Sequence, residues 1–357
     1  MTTASAAAGR AASRPGLARV FAFIQNNGLL LAFAICFVGF SLASPRFLTV
    51  PNLTVILLTV STVAIMAVPS AMIITAGYVD LSLGSMAVLA AVVYGELSHI
   101  GMAWPVCILA AFAVAVLWGL IQGFLSAQVG FTPIVVTLGG LAALRGIADL
   151  IGAGRTKFGF ADEFVALGGG NVGLPVPVWI AIGFFIVGFI IWYLMPYGRW
   201  FMAIGSDKAV ARSMGVPIRG IPFILYVATA VAAALAGLIL ASQLDSSSPS
   251  IGSGWELSVL TAVLLGGVSF TGGSGSLFGV LIGVLFIGVL DNGLIIIGAG
   301  PYWHGIAIGA ALIFAAFLDW ASKQLERVRF AGAPAPGSEG PEQPAGAEPT
   351  VGTGAGA

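Results

Sequence analysis

The chain has 357 residues, 59% of them hydrophobic and 8% charged, with a mean hydropathy of +1.05. Soluble domains carry roughly 25% charged residues, so composition excludes a soluble globular fold and implies a polytopic membrane protein. Lys and Arg (14) balance Asp and Glu (14), which leaves no basic surface suited to nucleic acid. The two cysteines, Cys36 and Cys107, lie in apolar runs, so neither a disulfide nor a metal framework is expected.

Residues 1–23 are rich in Ala and Ser and include Arg10, Arg14 and Arg19; a disordered cytoplasmic tail is expected. The run from Gly28 to Ala43 has the length of a signal-peptide core, but the long tail before it and the many apolar runs after it favour an uncleaved first span. A span needs about 20 apolar residues. Spans are therefore expected near 24–44, 52–75, 83–99, 103–127, 133–152, 176–195, 221–243, 257–270, 276–298 and 303–320. The fold class is an all-α polytopic membrane protein of about ten transmembrane helices, with the membrane domain over 24–322. Ala233, Gly237 and Ala241, and likewise Gly279 and Gly283, have the four-residue spacing that lets spans approach closely. Residues 323–357 form a C-terminal tail, expected to be cytoplasmic and mostly disordered.

Between two apolar runs lies a polar stretch, 197–222, that holds Arg199, Lys208, Arg212 and Arg219. It reads as a short capped helix. Ser206 is the expected N-cap, with Asp207 in the first turn. Lys208 to Met214 are helical, Gly215 is left-handed, and Pro217 stops the helix. With the N-terminus inside, ten basic residues fall on the cytoplasmic side, against Arg46, Arg155 and Lys157 outside. This bias puts both termini and the 197–222 loop in the cytoplasm. A basic, exposed helix there has no packing role and reads as a docking site for another protein.

The expected second and seventh spans both run through Asp, Ser and Gly-Ser into the next helix, as AGYVDLSLGSMAVL and QLDSSSPSIGSGWELSVL. An offset of five spans would give inverted copies, spans 2–5 and 7–10, a common transporter plan. Within the first copy, Asp80 or Ser82 caps the following helix, or Asp80 lines a pathway with Ser82 and Ser85, and the two roles are compatible. The 242–256 stretch, with Asp245, Trp255 and Glu256, is either an exposed loop or the mouth of a pathway. Arg145 and Asp149 are four apart on one helix face and are expected to form an ion pair, with a gating role as the alternative. Asn292 is read as a helix–helix hydrogen-bonding residue, with contact to a hydroxylated solute as the alternative. Gly272 to Ser276 lacks the lysine of a phosphate loop and reads as a tight turn. No P-loop, His-Glu-x-x-His or Cys-x-x-Cys appears, and the two histidines, His99 and His304, are isolated. Catalytic residues, cofactors and metal ligands are not expected. The energy for transport then enters from another chain.

Several segments together carry a resemblance. They are Asp80 to Ser85, Pro133 to Gly139 with Arg145-Gly146, and Gly198-Arg199 through Gly215-Val216. Leu265 to Gly267 with Gly272 to Gly275, and Asn292 to Leu294, complete the set. From Pro45 to Asp319 the chain resembles the permease subunits of bacterial ABC importers for monosaccharides, the ribose, xylose and arabinose class. It departs at Gly205-Ser206-Asp207-Lys208, where that family often has Gly-Asn-Glu. The resemblance implies a half-channel in the bacterial inner membrane, paired with a second copy and surrounded by lipid. It implies ATPase subunits gripping Gly205, Ser206, Asp207, Lys208, Ala209, Ala211, Arg212 and Gly215. A soluble periplasmic or extracellular binding protein would deliver the sugar, and ATP hydrolysis would lie outside this chain. Permeases for other solutes, such as a branched-chain amino acid, polyol or nucleoside, share the layout. A secondary transporter would have only Asp80, Asp149 and Asp291 as coupling-ion candidates.

Overall fold

In the computed structural model, residues 15–252 and 254–331 are described, with side chains over 28–252, 254–300 and 302–317. Both expected tails extend outside the described residues. The helices are α1 (Pro15–Ala43), α2 (Val50–Thr75), α3 (Leu83–His99), α4 (Trp104–Gly123), α5 (Pro133–Gly152), α6 (Asp162–Gly169) and α7 (Val176–Phe189). They continue with α8 (Tyr197–Ser206), α9 (Lys208–Ser213), α10 (Gly220–Gln243), α11 (Trp255–Leu265), α12 (Leu277–Ile296) and α13 (Pro301–Ala331). Two of them run on as π-helical turns, α4 through Phe124–Val129 and α7 through Ile190–Leu194.

Among the described residues six helices are long and apolar enough to cross a membrane: α2, α4 with its extension, α5, α7 with its extension, α10 and α12. Shorter apolar helices are Gly28–Ala43 of α1, α3, α11 and Tyr302–Phe317 of α13. Each expected span falls on one of these ten. The span expected at 257–270 is cut short: α11 ends at Leu265, because Gly267 turns left-handed (φ +84°). Gly266 there sits directly on the backbone of Gly279 and Val280 in α12.

The centre is α2, whose residues Val60 to Thr75 are all buried. A helix that is apolar all round belongs in the interior. It packs against α10, α7, α12 and α11, while α10 also packs on α3 and α4. Gly237 of α10 rests on the carbonyl of Ala87 in α3, Gly283 of α12 on that of Ala262 in α11, and Gly279 on that of Gly266 just after α11. The small-residue spacing therefore marks real backbone contact. Outward-facing Leu109, Val135, Leu150, Ile186 and Ile313 are exposed, as side chains in lipid would be.

One end of the bundle is closed by the 153–175 segment. It contains α6 and two short antiparallel pairs, β1 (Lys157–Phe158) with β4 (Ser246–Ser247), and β2 (Asn171–Val172) with β3 (Leu174–Pro175). Phe160 and Phe164 pack on Tyr94 of α3, Phe164 stacked at 3.7 Å. Ser242 Oγ donates to the Phe164 carbonyl at 2.5 Å and accepts from Gly168 N at 2.7 Å. Lys157 pairs with Glu96 at 3.3 Å. Within the 242–256 stretch Ser246, Ser247 and Ser248 are consequently buried, while Leu244 and Ser250 are exposed.

Candidate transport and coupling site

Asp80 lies in the extended stretch between α2 and α3 and is 5% exposed. Its Oδ1 accepts from Ser82 N at 2.9 Å, Ser82 Oγ at 2.7 Å and Gln122 Nε2 at 2.8 Å. Its Oδ2 accepts from Thr229 Oγ1 at 2.6 Å. Trp118 Nε1 reaches Ser82 Oγ at 3.3 Å, and Tyr226 donates to the Val79 carbonyl at 3.2 Å. The carboxylate thus ties the start of α3 to α4 and α10 with four neutral donors. Ser82 stands at the N-cap position without capping through its side chain. The expected cap is replaced by Asp80 holding Ser82 N. Thr229 is nine residues into α10, about 13 Å from its start, so the acid sits deep between membrane-length helices.

The segment after α10 runs back along α3. Gly95 rests on the side chain of Ser247, Gly252 lies by Val88, and Gly84 meets the carboxylate of Glu256. The N-terminus of α11 is thereby brought to the N-terminus of α3, and both are interior helix starts. A Cβ at Gly84 would displace the Glu256 carboxylate, the movable end of a flexible side chain. Ser85 is buried, and Trp255 is half-buried beside Gly252. The two stretches matched in sequence as repeat copies meet in space.

At the C-terminal end of α2, just before the Asp80 stretch, three backbones converge. Gly205 sits against the Thr75 carbonyl and Gly273 N, while Gly272 sits against Gly77. Gly273 N donates to the Thr75 carbonyl at 2.9 Å. Gly77, Gly272 and Gly273 are left-handed, with φ +77°, +83° and +81°, conformations that glycine adopts without steric cost. The 272–276 turn thus clamps α2 to the end of α8. The helix expected after Ser206 begins one residue later. Asp207 is its N-cap, accepting from Ala209 N at 2.7 Å and Val210 N at 3.1 Å, whereas Ser206 ends α8. Asp207 wins because its backbone is extended (φ −156°), as an N-cap requires, while Ser206 continues the helix before it. Gly215 is left-handed at φ +78°, as its position predicts. Ala211 is buried and anchors α9, while Val210 (54%) and Met214 (74%) are exposed. The exposed apolar pair was not singled out from sequence.

The family described as "Branched-chain amino acid transport system / permease component" matches residues 52–316. The chain belongs to this family. It is 34% identical over 306 residues to the ribose import permease protein RbsC of Escherichia coli K12, covering 84% of this chain and 94% of the relative. It is 32% identical over 319 residues to the L-arabinose ABC transporter permease protein AraH of Azospirillum brasilense, covering 87% and 92%. The corresponding AraH of Escherichia coli K12 is 31% identical over 305 residues, covering 85% and 93%. No solved structure matches the chain.

Within this permease, other sequence-derived sites resolve differently. Arg145 and Asp149 do not form the expected ion pair: among the described residues the pairs are Lys157–Glu96 and His304–Asp291. Asp149 is exposed and Arg145 half-buried, and four-residue spacing on a helix permits a pair without compelling one. Asn292 makes a helix–helix contact, exchanging two hydrogen bonds with Asn52, both at 2.9 Å. Next to it His304 Nδ1 lies 2.6 Å from Asp291, so His304 is not isolated. Gln122 and Thr229, essential to the Asp80 cluster, escaped the sequence reading. An amide inside the apolar run of α4 was the available signal for Gln122.

Proposed function

We propose that the chain is the membrane-spanning subunit of an ATP-driven importer for a pentose-type monosaccharide. The observation that carries this reading is the 31–34% identity, over most of both chains, with permeases whose names specify ribose and arabinose import. The amino-acid label of the family points to a broader group, and the individual relatives favour sugar. About ten helices cross the bilayer, with both termini and 197–222 in the cytoplasm. Spans 2–5 and 7–10 are inverted copies, a reading supported by the meeting of the Gly84 and Glu256 stretches. Two copies line one pathway, and a soluble binding protein supplies the sugar from outside.

An ATPase subunit docks on α9. Val210 and Met214 offer it an apolar tip, and Gly205 through Gly215 pass its motion to α2 and the 272–273 turn. Asp80, Ser82, Ser85 and Trp255 border the interior helix starts, the place where transporters bind their cargo. Asn292 instead holds α12 to α2, and Arg145 and Asp149 retain a gating role without an ion pair. ATP hydrolysis itself belongs to the partner.

Replacing Val210 and Met214 together with Asp tests the docking. The charged tip places carboxylates in an apolar contact, so co-purification of the ATPase should fall at least tenfold, about 1.4 kcal/mol. Yield of the permease should stay unchanged, because both side chains are exposed. Full co-purification with the double variant places the ATPase elsewhere.

A further inference from the structure

A cavity of about 400 Å³ opens where the extension of α4 and the starts of α5 and α10 meet α9. Its lining includes Lys208, Arg212 and Arg219, with Tyr78, Ser126 and Phe131. No Asp or Glu lines it. Among the described residues none of the three cations has a salt bridge. The nearest acid in sequence, Asp207, is occupied in capping α9. Lys208 Nζ is held 4.2 Å from the centre of the Tyr78 ring, which fixes a flexible side chain at the cavity wall. Three uncompensated cations around one concavity of this size form an anion site: guanidinium groups match the oxygens of a phosphate, and an ammonium adds a point charge.

The surroundings narrow the anion. The cavity lies at the ends of three membrane-length helices, α4, α5 and α10. Beside it Val129 (49%), Phe131 (54%) and Val135 (68%) present exposed apolar surface running onto α5. A charged cavity continuous with an apolar wall suits an amphiphile, and basic pockets between membrane helices are known to hold anionic headgroups. The exposed tip of α9, Val210 and Met214, takes no part in the lining, so the cavity opens beside the proposed docking tip and shares with it only Lys208 and Arg212 of α9. We propose that this cavity binds the phosphate headgroup of an acidic phospholipid, with the acyl chains along Phe131 and Val135. The lipid thereby holds α9 at the membrane surface. The proposal rests on the chain being a membrane permease, and not on its having an ATPase.

The test uses the purified permease alone, in nanodiscs of mixed phosphatidylglycerol and phosphatidylcholine, read by native mass spectrometry. The wild type should retain phosphatidylglycerol roughly a hundredfold over phosphatidylcholine, at about fivefold for each of the three cations. The Lys208→Gln, Arg219→Gln double variant should lose about 25-fold of that preference. A charge-keeping variant, Lys208→Arg with Arg219→Lys, should retain a clear preference, which separates loss of charge from misfolding. Equal retention of both lipids by the wild type overturns the proposal, as does unchanged phosphatidylglycerol retention in the double variant. Stabilisation by inorganic phosphate in detergent without any lipid preference also overturns it, because it identifies a site for a soluble anion.

Discussion

Gly205→Val should abolish uptake while leaving a permease that inserts and can be purified. The position has no room for a Cβ: the Thr75 carbonyl and Gly273 N occupy that space, and both are backbone atoms that no rotamer change can move. The branched side chain must part α8 from α2 and the 272–273 turn, and it threatens the Gly273 N to Thr75 O hydrogen bond. Overpacking of this kind costs about 3 kcal/mol or more, roughly a hundredfold in the fraction of molecules with the contact closed. Insertion should survive, because the contact lies at one end of the bundle and the α2–α10–α3 centre is untouched. Transport with the ATPase present is the measurement. Uptake within twofold of wild type means that motion does not pass through this contact. Gly215→Val, at a left-handed position with open space around it, should distort α9 alone and act on ATPase binding instead.

Asp80→Ala should strip the yield of folded permease, whereas Asp80→Asn should not. Alanine leaves Ser82 N and Gln122 Nε2 without the acceptor they share. Thr229 has a second acceptor in the Tyr226 carbonyl at 2.9 Å. Two buried orphaned donors cost about 2–6 kcal/mol together, a large share of the stability of an ordinary domain. Asparagine keeps one oxygen for Ser82 and Gln122, and Thr229 can turn its proton to Tyr226 and accept from the new amide. Its cost is about 1 kcal/mol. Thermal unfolding of both variants measures this difference. Asparagine also separates structure from chemistry. A hydrogen-bonded hub keeps transport when its charge is removed, but a coupling-ion site does not. A well-folded Asp80→Asn protein with no transport assigns the charge a direct role in moving the solute or an ion.

Much of this was legible in the chain. Apolar runs located every long helix, because bilayer thickness demands about 20 consecutive apolar residues. The capped basic helix was visible in Gly215 and Arg212, with the cap misplaced by one residue since Ser206 and Asp207 are both good N-caps and only the end of α8 decides between them. Other features depend on contacts distant in sequence. Asn52 and Asn292 are 240 residues apart, and nothing local to either announces the partner. Thr229 resembles any threonine in a helix until α10 packs beside Asp80. The burial of Ser246 to Ser248 follows from the segment folding back along α3, which polarity alone argues against. Arg145 and Asp149 show the opposite error, since four-residue spacing permits an ion pair but does not compel one.

The central claim is that this permease moves a pentose at the expense of ATP hydrolysed by a partner. It is tested most directly in proteoliposomes that contain the permease and its ATPase, with the binding protein and labelled ribose or arabinose outside. The account predicts uptake that requires ATP, ATPase and binding protein together and is indifferent to an imposed ion gradient. Uptake driven by a proton or sodium gradient through the permease alone would contradict it.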